Sequence, residues 1–370
     1  MNNSTRDQCH LAEQILNPTY KGLVMAEIAW AWVAIPPNLL LLQAIRDVTV
    51  FPSNLRLLMA HFSCVLLFFA LGTMVKGVYL LTASPCGFAA SVRTCKILEL
   101  STGLGLPNMY YSLVALCAER LYATVNYRKY DKKQFPWMAI VLIVCAWAVA
   151  FFLNGGGNIG RLPFDQFVPF CDIAFGPASG MTYMFLGYVL MEVATTVVTL
   201  LIYFYTRHVA RNMSINRALY DLSSRFLVDQ NAQINAVLLP GMALHVVCHL
   251  PAFAVLIPFN WSGAWALSAP TKAWLLRSTF LWRMVYAVLD PLIAFSCNTH
   301  FRQHLSNGPF GRLLKKAGVD VAKPARVVGV FSQTAAHFDY LERIWSRARP
   351  TVSPSGGNPK KATRYNTTAV

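Results

Sequence analysis

Seven stretches of this chain, roughly 21–45, 57–81, 96–122, 136–154, 181–205, 234–258 and 273–297, are apolar over the length of a membrane-crossing helix. A bilayer core calls for about 20 such residues per span, and backbone in hydrocarbon must satisfy its own hydrogen bonds, so each run is predicted to be a helix. With 55% of residues hydrophobic and 13% charged, little is left over for a soluble domain. The expected fold class is therefore all-α: an integral membrane bundle of seven transmembrane helices over 21–297. Residues 1–20 precede it; a juxtamembrane segment, 298–317, and a tail, 318–370, follow.

Lys and Arg in the connections set the orientation, because basic loops stay in the cytoplasm. One side carries Arg46, Arg56, Arg128, Lys129, Lys132, Lys133, Arg207, Arg211, Arg217, Arg225 and a basic tail. The other has Arg6, Lys21, Arg93, Lys96, Arg161 and Lys272, which places the N-terminus outside. The net charge of +16 sits where topology requires it, without an aromatic-basic module, so nucleic acid is not an expected partner. Sequons at Asn2, Asn3 and Asn260 fall on the outer side and are expected to be glycosylated, whereas those at Asn212 and Asn366 fall inside. The first 20 residues contain no signal-peptide apolar core, so the first helix is expected to direct insertion.

Of nine cysteines, Cys64, Cys117, Cys145, Cys248 and Cys297 lie within apolar runs and read as small buried thiols. Cys9, Cys86, Cys95 and Cys171 face the outer, oxidising side and allow three pairings. Cys95 with Cys171 would tie the top of the third helix to the loop between the fourth and fifth, leaving Cys9 with Cys86.

The third helix spans 25 residues from Cys95 to Arg120, roughly 38 Å at 1.5 Å per residue. It thus carries a cysteine at its outer mouth and Glu119-Arg120 at its inner mouth, followed by lysines in ALCAERLYATVNYRKYDKK. Alone, Arg120 reads as an arginine snorkelling to headgroups. Together with the cysteine, the helix resembles that of the rhodopsin-like G protein-coupled receptors, which begins at a bridged cysteine and ends on Asp/Glu-Arg-Tyr. Asn38 in IPPNLLLL, Trp147, the CHLP of Cys248–Pro251 and the DPLIAF from Asp290 and Pro291 match other landmarks. Departures are Leu121 for the motif tyrosine, His249 for the tryptophan before Pro251, Ala294 for the last tyrosine, and His61 for the second-helix aspartate. ERLYATVNYRKYDKK and SSRFLVDQNAQINAVLLPGMALH are similar to segments of the nematode serpentine chemoreceptors of the Sra, Srab, Sre and Srb classes, with Gln230 in place of a glutamate beside Asn231.

The resemblance implies a chemosensory receptor that detects a small organic ligand and activates a heterotrimeric G protein. It further implies that Glu119 restrains Arg120 until activation, that the Cys95–Cys171 bridge is present, and that Pro251, Asp290 and Pro291 form the conformational switch. It would be a multi-pass protein of the plasma membrane, in a sensory cilium.

Ionisable groups inside membrane helices are costly and by default suggest function. Lys76 and Glu99 could line an outward cavity or reach the interface; Glu192 and His249 are further ligand-pocket candidates. Arg283 lies seven residues before Asp290, far from either surface, and needs a partner: Glu99, Glu192 or a ligand carboxylate. His245 and His249 share a helix face, but neither a His-Glu-x-x-His pattern nor a third ligand is evident, so neither metal nor cofactor is expected. Trp282, Tyr286, Tyr110 and Tyr111 could add aromatic surface.

HFRQHLSNGPFGRLLKK sets Phe301, Leu305 and Phe310 among basic residues, as in a helix lying on membrane lipids, with Gly308-Pro309 interrupting it. The tail ends in TTAV, so Thr368 and Val370 fit a PDZ-domain ligand, and from Pro350 its composition reads as disordered. A transporter or ligand-gated channel is the alternative, although no internal repeat supports it. No catalytic motif appears, so an enzyme is not expected.

Overall fold

The computed structural model describes residues 10, 13–48, 51–82, 90–126, 130, 136–152, 167–168, 178–215, 222–260 and 268–316. Seven helices follow in order: α1 (Pro18–Asp47), α2 (Ser53–Thr82), α3 (Val92–Val125), α4 (Trp137–Phe151), α5 (Ala178–Ile215), α6 (Leu222–Asn260) and α7 (Ala269–Cys297). Two short ones, α8 (Thr299–Asn307) and α9 (Pro309–Lys316), come after them. A pair of two-residue strands, β1 (Ala90–Ser91) and β2 (Phe167–Val168), is antiparallel, with Ala90 opposite Val168.

The ends of these helices are written in the sequence. Asn17 accepts from the Tyr20 amide at 2.9 Å while Pro18 occupies the first turn, where a missing N–H costs nothing. Asn298 accepts from the amides of His300 and Phe301 at 2.9 and 3.3 Å, which ends α7 and starts α8 at once. Gly308 separates α8 from α9. Phe301 is fully buried against Phe51 and Phe295, so it anchors α8 to the bundle rather than to lipid.

The helices close into a ring: α1 packs on α2 and α7, α7 on α6, α6 on α5, and α5 on α3, while α4 lies against α2 and α3. Helix α3 touches α2, α4, α5 and α6, and is the inner helix. This explains its composition. Five helices, α1, α2 and the cores of α5, α6 and α7, are long and apolar enough to cross a membrane, and α4 is a shorter apolar helix of 15 residues. α3 runs 34 residues but carries Glu99, Thr102, Asn108, Ser112, Glu119 and Arg120, which its neighbours bury. Meanwhile Trp32, Val75, Val144 and Leu201 stand exposed on the outside of the bundle, an arrangement that lipid favours and water does not.

Polar side chains join helices inside the apolar packing. Asn38 donates to the carbonyls of Ala34 and Ala287, both at 2.8 Å, fixing α1 to α7. His61 stands within 3.2 Å of Ser112 and accepts from the Trp147 indole at 2.8 Å, so one imidazole joins α2, α3 and α4. Where α2 packs on α3, a Cβ placed on Gly72 would collide with the Ser101 side chain. Gly72→Val is therefore expected to cost about 1–3 kcal/mol by overpacking. Thermal melting of the purified protein checks this, and an unchanged midpoint would show that the two helices have room to spare.

Candidate functional site

Where α3 ends, Arg120 is held in a clasp of four side chains. Its Nε and Nη2 edge grips both oxygens of Glu119, each at 2.5 Å, in the bidentate geometry that suits a guanidinium to a carboxylate. Nη1 donates to Asn231 Oδ1 at 3.1 Å, and the Asn231 amide donates to Thr124 at 3.0 Å. The Tyr130 hydroxyl donates to Glu119, and the Tyr130 ring lies 5.9 Å from the guanidinium carbon. Burial, reinforced by the Glu119 carboxylate, holds the Tyr130 phenol above its ordinary range, so it remains a donor. Asn231 belongs to α6, and the clasp therefore fastens α3 to α6. Leu121, which replaces the motif tyrosine, points outward at 46% exposure and leaves the clasp undisturbed.

The Cys95 end of the bundle is ionic. Cys95 is disulfide-bonded, and its partner lies outside the described residues. Lys76 of α2 pairs with Glu99 of α3 at 3.6 Å, both buried. Arg277 of α7 donates to Glu27 of α1 at 2.9 Å and to the Tyr20 hydroxyl at 2.8 Å. The Phe280 ring is shared by three cations, with Lys76, Arg277 and Arg283 at 5.7, 5.9 and 5.4 Å from its centroid. Glu27 and Arg277 are both recognisable in the sequence as ionisable groups within apolar runs, but their partnership, which spans 250 residues, is not.

Between these two ends lies a polar and aromatic centre. The imidazoles of His245 and His249 stack at 3.9 Å, and Tyr110 and Tyr286 meet both rings edge-on. Glu192 of α5 accepts from His245 Nδ1 at 2.8 Å, and His249 Nδ1 donates to the His245 carbonyl at 2.9 Å. Tyr110 stacks on Tyr188 at 4.9 Å, with Phe253 behind them. A small cavity of about 10 Å³ lies between α3, α5 and α6, lined by Tyr110, Leu113, Glu192, Met242 and His245 among others.

Glu192 supplies the third metal-ligand type that spacing along the chain did not show, since it and the two histidines offer atoms within 4.8 Å of one another. The donor set nevertheless fits a cation poorly. One Glu192 oxygen and both Nδ1 atoms are already hydrogen-bonded, and the Arg283 guanidinium faces the same groups.

Neither sequence-suggested protein partner is paired with Arg283: Glu99 is taken by Lys76 and Glu192 by His245. Asp290 accepts from Tyr286 at 3.3 Å, whereas Asn38 reaches the α7 backbone instead of joining it. Trp282 stands 44% exposed on the bundle surface and contributes nothing to the centre. Pro251 is exposed on α6, and Pro291 is buried within α7. Asn2, Asn3, Cys9, Cys86, Cys171, Thr368 and Val370, together with the Asn260 side chain, lie outside what is described.

An inner α3, an arginine clasp to α6 at one end and an anchored cysteine at the other define a seven-helix receptor of the G protein-coupled type. The serpentine type 7TM GPCR receptor class ab chemoreceptor family matches residues 8–306, and the chain belongs to it. A Caenorhabditis elegans relative, serpentine receptor class alpha/beta-14, is 23% identical over 283 residues, covering 71% of each chain. Membership makes this a multi-pass membrane receptor with chemosensory function and no enzymatic role, whose partners are a small ligand and a G protein. The transporter and channel alternative gains no support.

Proposed function

We propose that the receptor signals by opening the clasp at Arg120. In the closed form, Glu119, Tyr130 and Asn231 occupy the guanidinium and hold α6 against α3. A small organic ligand entering between the Cys95 end and the polar centre shifts α6 and α7 relative to α3, with Pro251, Asp290 and Pro291 as the points of flexure. Once Asn231 moves away, Arg120 becomes free to meet the G protein. Lys76, Glu99, Glu192, His249 and Arg283 line the path the ligand takes.

The carrying observation is the Arg120–Asn231 bond, because it makes the position of one helix depend on a side chain of another. A membrane-buried arginine serving only structure would need its carboxylate alone. Asn231→Ala is expected to raise ligand-independent nucleotide exchange on the G protein several-fold. Exchange equal to wild type would mean that α6 is not restrained at this point.

The rest of the assignment follows the same topology. Cys95 pairs with Cys171, since β2 brings the chain three residues before Cys171 beside β1, next to Cys95. The N-terminus lies outside, glycosylated at Asn2, Asn3 and Asn260. The receptor resides in the plasma membrane of a sensory cilium, contacts membrane lipids through α9, and presents Thr368 and Val370 to a PDZ protein.

A further inference from the structure

We propose that the ligand carries a carboxylate, gripped side-on by Nε and Nη2 of Arg283. The inference deepens the receptor reading above and rests on it. Among the described residues, four cations are buried within α1–α7: Lys76, Arg120, Arg277 and Arg283. Glu99, Glu119 and Glu27 pair with the first three. Arg283, only 1% exposed, has no carboxylate partner among the described residues, and its Nε and Nη2 make no hydrogen bond there.

Those two nitrogens share one edge of the guanidinium. It is the same edge with which Arg120 holds both oxygens of Glu119. What is missing at Arg283 therefore has a definite shape: a planar group with two oxygens side by side. The Phe280 ring, 5.4 Å from the guanidinium carbon, stabilises the cation but accepts no such pair of hydrogen bonds. An unmatched cation in a membrane helix is costly, and one left in place is best explained by a partner that comes and goes.

The position suits an entering ligand. Arg283 lies six residues beyond Arg277 along α7, roughly 9 Å deeper from the Cys95 end. Tyr110 and Glu192, which face Arg283, also line the small cavity between α3, α5 and α6. The Tyr110 hydroxyl lies beside the Arg283 guanidinium and keeps a proton to donate to the same anion.

The test uses full-length receptor in lipid nanodiscs, read by thermal melting and by nucleotide exchange on added G protein. Probes are acetate, butanoate, hexanoate and phenylacetate, each beside its primary amide, with chloride and sulfate as further anions. At least one acid should raise the wild-type midpoint by several degrees and stimulate exchange, its amide requiring at least about tenfold more. Arg283→Met should melt no lower than wild type without ligand and should show no shift with any acid. Arg283→Lys, which keeps the charge and loses the fork, should weaken the acid at least about tenfold.

Any of four results overturns the proposal: a ligand-free Arg283→Met midpoint several degrees below wild type, an Arg283→Lys affinity equal to wild type, amides or simple anions as effective as the acids, or no shift with any acid. The two readings separate cleanly. A neutral compound that drives exchange equally in wild type and Arg283→Met keeps the receptor and removes the carboxylate. An acid that stabilises through Arg283 without changing exchange keeps the anion site and removes its signalling role.

Discussion

Arg120→Ala is expected to reduce G protein nucleotide exchange about 100-fold or more while the receptor still reaches the cell surface. Truncating one member of a desolvated, hydrogen-bonded charge pair typically costs about 2–5 kcal/mol at an interface, and 2.7 kcal/mol already corresponds to roughly 100-fold. The clasp predicts that this loss affects coupling more than folding, because Glu119 retains its hydrogen bond from Tyr130 when the guanidinium goes. Glu119→Gln should act in the opposite direction, loosening Arg120 and raising basal exchange. The double variant, Glu119→Gln with Arg120→Ala, removes both charges and should be as silent as Arg120→Ala alone. Exchange by Arg120→Ala within a few-fold of wild type at matched surface level would show that the G protein does not use this residue.

That contrast in sign is what separates a switch from a strut. The backbone of α3 places Glu119 and Arg120 side by side, an arrangement that any helix end could produce. Only the reach of Nη1 to Asn231 makes the pair sensitive to the position of α6.

The number and order of the helices could be read from the sequence because a bilayer demands long uninterrupted apolar runs, which leave little room for ambiguity. Arg120 and Glu119 could be read because they are adjacent and because the spacing to Cys95 is one helix length. Asn231 and Tyr130 stood in segments that resemble the family, yet their contacts with the pair depend on how α6 and the residues after α3 return to it. The partners of Lys76 and Arg277 could be guessed only as acids somewhere in the membrane. Lys76 met Glu99 on the next helix, whereas Arg277 met Glu27 on the first, because the ring closes α7 against α1. His61 was legible only as a departure from the family aspartate. What it does instead depends on the packing: the imidazole accepts from Trp147 and joins three helices.

Glu27→Ala is expected to be the most damaging substitution for stability, at about 3–5 kcal/mol, because it leaves Arg277 buried without a carboxylate. Glu27 is wholly buried and Arg277 is 2% exposed, so neither water nor headgroups can replace the lost charge. The Tyr20 hydroxyl, 2.8 Å from Arg277 Nε, remains as a neutral acceptor and offsets only part of the loss. The expected readout is retention inside the cell and a lower melting midpoint of what is recovered. A second substitution gives the argument its force. If the damage comes from the stranded cation rather than from lost packing, Glu27→Leu combined with Arg277→Met should recover most of the stability, since a matched apolar pair avoids both desolvation costs. A double variant as unstable as Glu27→Ala would instead mean that the α1–α7 seam depends on the ion pair for its geometry. The same comparison bears on Arg283, which lies on the same helix with no acid assigned to it: relief on removing a cation from α7 marks charge, and not shape, as what that helix must have answered.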